Sequence, residues 1–166
     1  LGNAWFVKDY RIVENADQEI DALNDFQPAQ TAILDDRFSE YVEDFQPAHD
    51  ASAFIRLEEY EPNRLVYSYQ LDKPQMAVFS EIYYPRGWNA YIDGEWHPHF
   101  RVNYVLRAMI VPGGEHTIEF KFEPQVYYTG ETISLISSIL LLLIVAGYTV
   151  GRATGKIKEG TPETQK

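Results

Sequence analysis

The chain has 166 residues, 45% of them apolar, and carries 25 acidic against 14 basic side chains for a net charge of −11. That length holds one ordinary domain plus a membrane segment, and the complete lack of cysteine excludes disulfides, thiolate metal sites and cysteine nucleophiles. So acidic a chain is poorly matched to nucleic acid, whose phosphates need basic surface, and to a general electrostatic grip on anionic lipid.

The chain opens at Leu1 with neither an initiator Met nor a charged and apolar leader, which reads as a cut point inside a longer protein. LGNAWFV and YRIV are short stretches of strand-like composition. Asn15 followed by Gln18 is the spacing of a capping box. Ile20, Leu23 and Phe26 then recur at helical spacing, and Pro28 ends the helix because the residue before a proline avoids the helical region. TAILD returns as a strand, and Pro47 with residues 48–52 marks an internal boundary. Residues 1–47 are therefore expected to form a small strand-helix-strand unit.

From residue 53 the pattern is β. Residues 54–60 and 64–71 read as strands around a Glu61-Pro62-Asn63 turn, with Leu65, Tyr67, Tyr69 and Leu71 on one face. Residues 76–84 form a more apolar strand ended by Pro85, and 88–92 align Trp88, Ala90 and Ile92. Asp93-Gly94 is a hairpin signal, since glycine accepts the positive φ such turns need. A long strand is predicted over 101–111, then a Pro112-Gly113-Gly114 turn, then a strand over 117–123 that places Ile118, Phe120 and Phe122 on one face. Short strands with regular turns predict a mainly β, α+β fold: an antiparallel β-sandwich, jelly-roll-like, over residues 48–131.

Residues 132–151, TISLISSILLLLIVAGYTVG, carry no charge. As a helix this run is about 30 Å long, one bilayer core, and its middle is apolar on every face, which a surface helix cannot be. Ser134, Ser137 and Ser138 are tolerated because a hydroxyl can bond back to a carbonyl one turn earlier. Arg152, Lys156 and Lys158 follow the run, whereas residues 1–131 hold 10 basic and 23 acidic side chains. Basic flanks favour the cytoplasmic side, so residues 1–131 are expected outside and the tail, 152–166, inside. Tyr127, Tyr128 and Tyr148 sit where interfacial aromatic belts lie. Gly147 and Gly151 are spaced as a helix-packing pair, a spacing that Gly155 repeats.

Several residues invite a functional reading. Tyr91 and Trp96 flank the predicted hairpin and are the surface candidates for stacking on a sugar, while Trp88 is assigned to the core by its phase. Arg101, Asn103 and Arg107 share a face if residues 101–111 form one strand, and two guanidiniums could there hold a phosphate or carboxylate; pairing with the surplus acids is the competing assignment. His97 and His99 could begin a metal site but lack a third ligand at helpful spacing, with His49 and His116 remote in sequence, so no metal is assigned. The carboxylate pairs Asp35-Asp36, Glu43-Asp44 and Glu58-Glu59 are adjacent, and neighbours in a strand point to opposite faces. With no Ser-His-Asp arrangement, Walker loop or dinucleotide fingerprint, no catalytic residue and no cofactor are assigned.

EIYYPRGWNAYIDG at 81–94, NYVLRAMIVPGGEHTIEFKFEP at 103–124 and the apolar run that follows resemble, in combination, the C-terminal region of the YfhO family of bacterial multi-spanning membrane proteins. The opening AWFVKDYRIVENADQEIDALNDF is similar to the segment preceding that module. The resemblance implies a place in the bacterial cytoplasmic membrane and kinship with the GT-C class of glycosyltransferases, which use polyprenyl-phosphate-linked sugars outside the membrane. That class keeps its catalytic carboxylates in loops near the N-terminal membrane helices, none of which lies in this chain, so no catalytic residue is carried over. The implied role is an accessory outer domain and last anchor, with the bilayer, the N-terminal helices of the same protein and a glycan or lipid-linked sugar as partners. The alternative is a non-catalytic carbohydrate-binding or envelope-assembly module.

Overall fold

The computed structural model describes residues 1–48 and 50–154. It divides into two compact units, Leu1–Glu123 and Pro124–Lys166.

The first unit is mainly antiparallel β. One sheet has the order β1 (Ala4–Val7), β6 (Gln75–Ile82), β10 (Leu106–Val111), β9 (Phe100–Val102). The other has the order β4 (Phe54–Glu61), β5 (Arg64–Leu71), β11 (Gly114–Phe122), β7 (Trp88–Ile92), β8 (Glu95–His97). The chain changes sheet between β5 and β6, β6 and β7, β8 and β9, and β10 and β11, so the two sheets are laced together in the manner of a jelly roll. Their facing residues make one core: Leu65, Tyr67, Tyr69 and Leu71 of β5, Ala77 and Phe79 of β6, Ala90 of β7, Met109 of β10, and Ile118 and Phe120 of β11. The period-two alternation of β5 and β11 in the sequence is this burial pattern. At the centre, Phe79, Phe120 and Tyr67 meet edge to face, with ring centroids 4.9, 5.0 and 6.2 Å apart. Such pairs add about 0.5–1.5 kcal/mol each beyond the area they bury.

β6 does not alternate because both its faces are covered. Met76 and Val78 point to a second core, shared with Ala108 of β10, Phe100 and Val102 of β9, and Ala32 and Leu34 of β3 (Thr31–Asp35). A strand buried on both sides reads as a continuous apolar run. β3 pairs in parallel with β2 (Asp9–Val13), and α1 (Ala16–Ala22) connects them, so the expected strand-helix-strand unit is present. β1 leaves that unit and pairs with β6.

Two local expectations are corrected. The run 101–111 is not one strand: Asn103 and Tyr104 adopt φ of 49° and 70° and reverse the chain, so β9 and β10 lie antiparallel with Arg101 opposite Arg107. Asparagine tolerates the left-handed region, and no glycine or proline signals the turn. On α1 the buried residues are Glu19 and Ala22, with Leu23 and Phe26 packed beside them, whereas Ile20 is exposed. The stripe 19, 22, 23, 26 has helical spacing, and a glutamate occupies its first position. Asn15 caps the helix, accepting from the Gln18 N–H at 3.0 Å, and Gln18 reaches back to the N–H of Glu14 rather than that of Asn15.

The second unit contains α2 (Gln125–Ala153), a helix long and apolar enough to cross a membrane. Its Ser137 and Ser138 hydroxyls donate to the carbonyls of Ile133 and Ser134 at 2.8 Å, which satisfies them within the helix. Gly147 and Gly151 lie on α2, and a Cβ at Gly147 would meet nothing within 4 Å. Gly155, Lys156, Lys158 and the rest of the expected tail to residue 166 lie outside the described residues.

Candidate functional site

The β7–β8 hairpin builds a cleft at one edge of the five-stranded sheet. Asp93 (φ 51°) and Gly94 (φ 86°) form its turn. Three bonds fix Asp93: its Oδ1 accepts the Thr117 N–H at 2.9 Å, its Oδ2 lies 2.6 Å from His116 Nδ1, and its backbone N–H donates to the Thr117 carbonyl at 3.0 Å. The Thr117 N–H and the His116 imidazole hold Asp93 below its usual range, and the same pairing raises His116. Gly114 has φ 133°, and a Cβ there would lie 2.5 Å from His116 Nε2, so glycine makes room for the imidazole.

Around this pair lies an open cleft of about 470 Å³ lined by Ile92, Glu95, Trp96, His97 and Pro112 together with Asp93 and His116. Trp96 is 65% exposed, which is far from the packing role of most indoles. An exposed indole face beside carboxylates and imidazoles suits a sugar ring: the apolar C–H face stacks on the aromatic while hydroxyls bond to the polar rim.

Tyr91 faces Trp96 across the ladder, but its hydroxyl donates to Glu123 Oε2 at 2.9 Å and Lys121 Nζ sits 5.0 Å over its ring. It is engaged elsewhere and does not line the cleft. Sequence reading found Trp96 but did not connect it to Asp93, Glu95 and Pro112. The available signal was the pair of turn motifs, Asp93-Gly94 and Pro112-Gly113-Gly114, whose strands β7 and β11 pair antiparallel and so bring the two turns to the same end. Trp88 packs against the core and sits 5.4 Å from Phe122.

Arg101, Asn103 and Arg107 are not brought to one point. Arg101 Nη2 donates to Glu19 Oε2 at 2.6 Å and approaches Asp35 at 3.6 Å, with its guanidinium over Phe38 and Tyr104 at 5.4 and 5.3 Å. Glu19 also accepts the Tyr104 N–H at 2.8 Å, yet burial outweighs these partners and raises its pKa. Asp35 is held by a fork from Arg37 at 2.9 and 2.8 Å, which lowers its pKa. Asn103 clips the β9–β10 turn to β3, exchanging two hydrogen bonds of 2.8 Å with the backbone of Ile33.

Arg107 enters the sandwich core, 1% exposed, with its guanidinium 4.4 Å from the Phe120 ring and 4.8 Å from Trp88. Its Nη2 donates to the Ile82 carbonyl at 3.2 Å. Burial lowers its pKa to about 10, which still leaves it charged at neutral pH. His97 and His99 are also separated: His97 lines the cleft, while the His99 ring is buried against Tyr83 and Phe120 and burial lowers its pKa to about 4. Among the described residues, no three His, Asp or Glu side chains are grouped to hold a metal.

Comparison with known proteins places this architecture. A family model described as bacterial membrane protein YfhO matches residues 38–134, which takes in every strand from β4 to β11. A Bacillus subtilis (strain 168) protein described as uncharacterized protein YfhO is 28% identical over 86 residues, 52% of this chain. The matched segment is 10% of that protein, so the chain corresponds to a small part of it. No solved structure matches.

Proposed function

The chain belongs to the YfhO family of bacterial membrane proteins, and from that premise we propose that it supplies an extracytoplasmic β unit and the membrane anchor that follows it in a longer polypeptide. The observation that carries this reading is the junction: β11 ends at Phe122, and α2, whose residues 132–151 are uncharged, begins at Gln125. Arg152 at the far end of α2, followed in the sequence by Lys156 and Lys158, supports an inside C-terminus. The longer protein, by the family resemblance, is a polyprenyl-phosphate-sugar-dependent glycosyltransferase of the cell envelope, and this part of it is accessory. The test is protease added to intact spheroplasts expressing the protein with a C-terminal tag. Loss of the β unit with retention of the tag is expected; protection of the β unit would reverse the orientation.

A second reading, a carbohydrate-binding module, is favoured by the Trp96 cleft. Trp96→Ala should abolish retention of the protein on immobilised cell-wall glycan while leaving its stability within about 0.5 kcal/mol, as for most surface substitutions. Retention equal to that of the unaltered chain would remove the cleft from the account.

A further inference from the structure

We propose that one end of the β unit is a membrane-seating rim that rests in the lipid headgroup layer. The rim is built from the turns at residues 61–63, 83–87 and 103–105 and from the last residues of β11. It exposes large apolar side chains together: Ile82 is 71% exposed, Tyr84 49%, Val105 45% and Phe122 37%. The hydrogen bonds show that these are neighbours. The Tyr83 N–H donates to the Val105 carbonyl at 2.8 Å, the Phe122 N–H to Asn63 at 2.9 Å, and the Glu123 N–H to Gly87 at 2.6 Å. Tyr84 stacks on Phe122 with centroids 6.4 Å apart. Gly87 is required beneath that ring, because a Cβ would lie 2.2 Å from it.

The path of the chain selects lipid as the occupant. β11 leaves the unit through this rim, and only Glu123 and Pro124 separate Phe122 from the first residue of α2. Three peptide steps reach at most about 10 Å, so the chain passes from Phe122 of the rim to the first residue of α2 within that length. Its composition fits the interface: Tyr84 and Tyr104 offer apolar rings with a polar edge, and Arg86 offers an apolar stem with a charged head. The opposite end of the sandwich carries polar turns instead, with Asp72-Lys73 and Asp93-Gly94. Exposed apolar clusters of this kind mark contact surfaces, and transfer of their area out of water stabilises the contact.

The far end of the sandwich supplies the reference point. Leu71 pairs with Gly114, eight residues before Phe122 on β11, so the Asp72-Lys73 turn stands about 26 Å from the rim along the strands.

This inference rests on the reading of α2 as a membrane span, and one experiment separates the two. The chain contains no cysteine, so single Ile82→Cys, Val105→Cys, Lys73→Cys and Leu141→Cys variants of the full chain each take one environment-sensitive fluorophore. Each is reconstituted in phosphatidylcholine vesicles containing lipids with a nitroxide on the headgroup or deep in the acyl chain. Headgroup nitroxide is expected to quench the probes at 82 and 105 several-fold more than the probe at 73, while the deep nitroxide quenches the probe at 141. Probes at 82 and 105 no more quenched than the probe at 73, with 141 quenched, would overturn the rim and leave the span intact. A silent probe at 141 would overturn the span and the rim with it.

Discussion

Phe120→Ala is expected to destabilise the β unit by about 3–5 kcal/mol, the range for a large buried aromatic reduced to alanine. Phe120 is fully buried and lies at the crossing of both sheets, touching Phe79 and Tyr67 edge to face and His99 at 5.9 Å. The substitution leaves a cavity that two rigid sheets cannot close, and it strips one of the two ring faces that flank the buried Arg107 guanidinium. The three tryptophans all lie in the β unit, so denaturant unfolding of the full chain in detergent can be followed by their fluorescence. A loss under about 1 kcal/mol would mean that the two sheets do not share the core described.

Glu19→Ala is expected to cost about 3 kcal/mol, the low end for breaking a buried ion pair. Glu19 is fully buried and accepts from both Arg101 and the Tyr104 N–H. Its removal leaves a guanidinium whose side chain is only 19% exposed, beside an unpaired backbone donor. Arg101 keeps partial access to water and the Asp35 carboxylate at 3.6 Å, which places the cost at the low end. A carboxyl group whose folded pKa lies above its unfolded value of 4.5 contributes stability below that value and loses it as pH rises through the folded pKa. Ionised Glu19 is therefore an expensive group in a fitted site, so Glu19→Leu combined with Arg101→Met should recover most of the loss. A double variant as unstable as Glu19→Ala would show instead that the ion pair is itself net stabilising.

These two residues show how unevenly the fold could be read. Phe120 was legible because β11 has one solvent face and one core face, and period two then exposes the inward set directly. Glu19 was not, because a glutamate on the first position of an otherwise apolar stripe looks like a solvent residue until its partner is known. That partner, Arg101, is 82 positions away. The Asn103-Tyr104 reversal was missed for a related reason: it is held by the Ile33 backbone, 70 positions away, rather than by local turn chemistry. Without that turn Arg101, Asn103 and Arg107 share one face, whereas the structure sends each to a different neighbour.

By itself the sequence determined the antiparallel β class, the strand-helix-strand opening, the long apolar helix and the family, because each is written in contiguous residues as periodicity, turn chemistry or a run without charge. Only the tertiary structure decided which turns share an end of the sandwich, and hence that Asp93, Trp96 and His116 form one cleft while Ile82, Tyr84 and Phe122 form one rim. It also decided that Arg107 is a core residue and that Glu19 is buried against Arg101. These are outcomes of strand pairing across 20 to 50 residues and more, and the free energy that selects a pairing comes from burial on both partners at once, which no single segment carries.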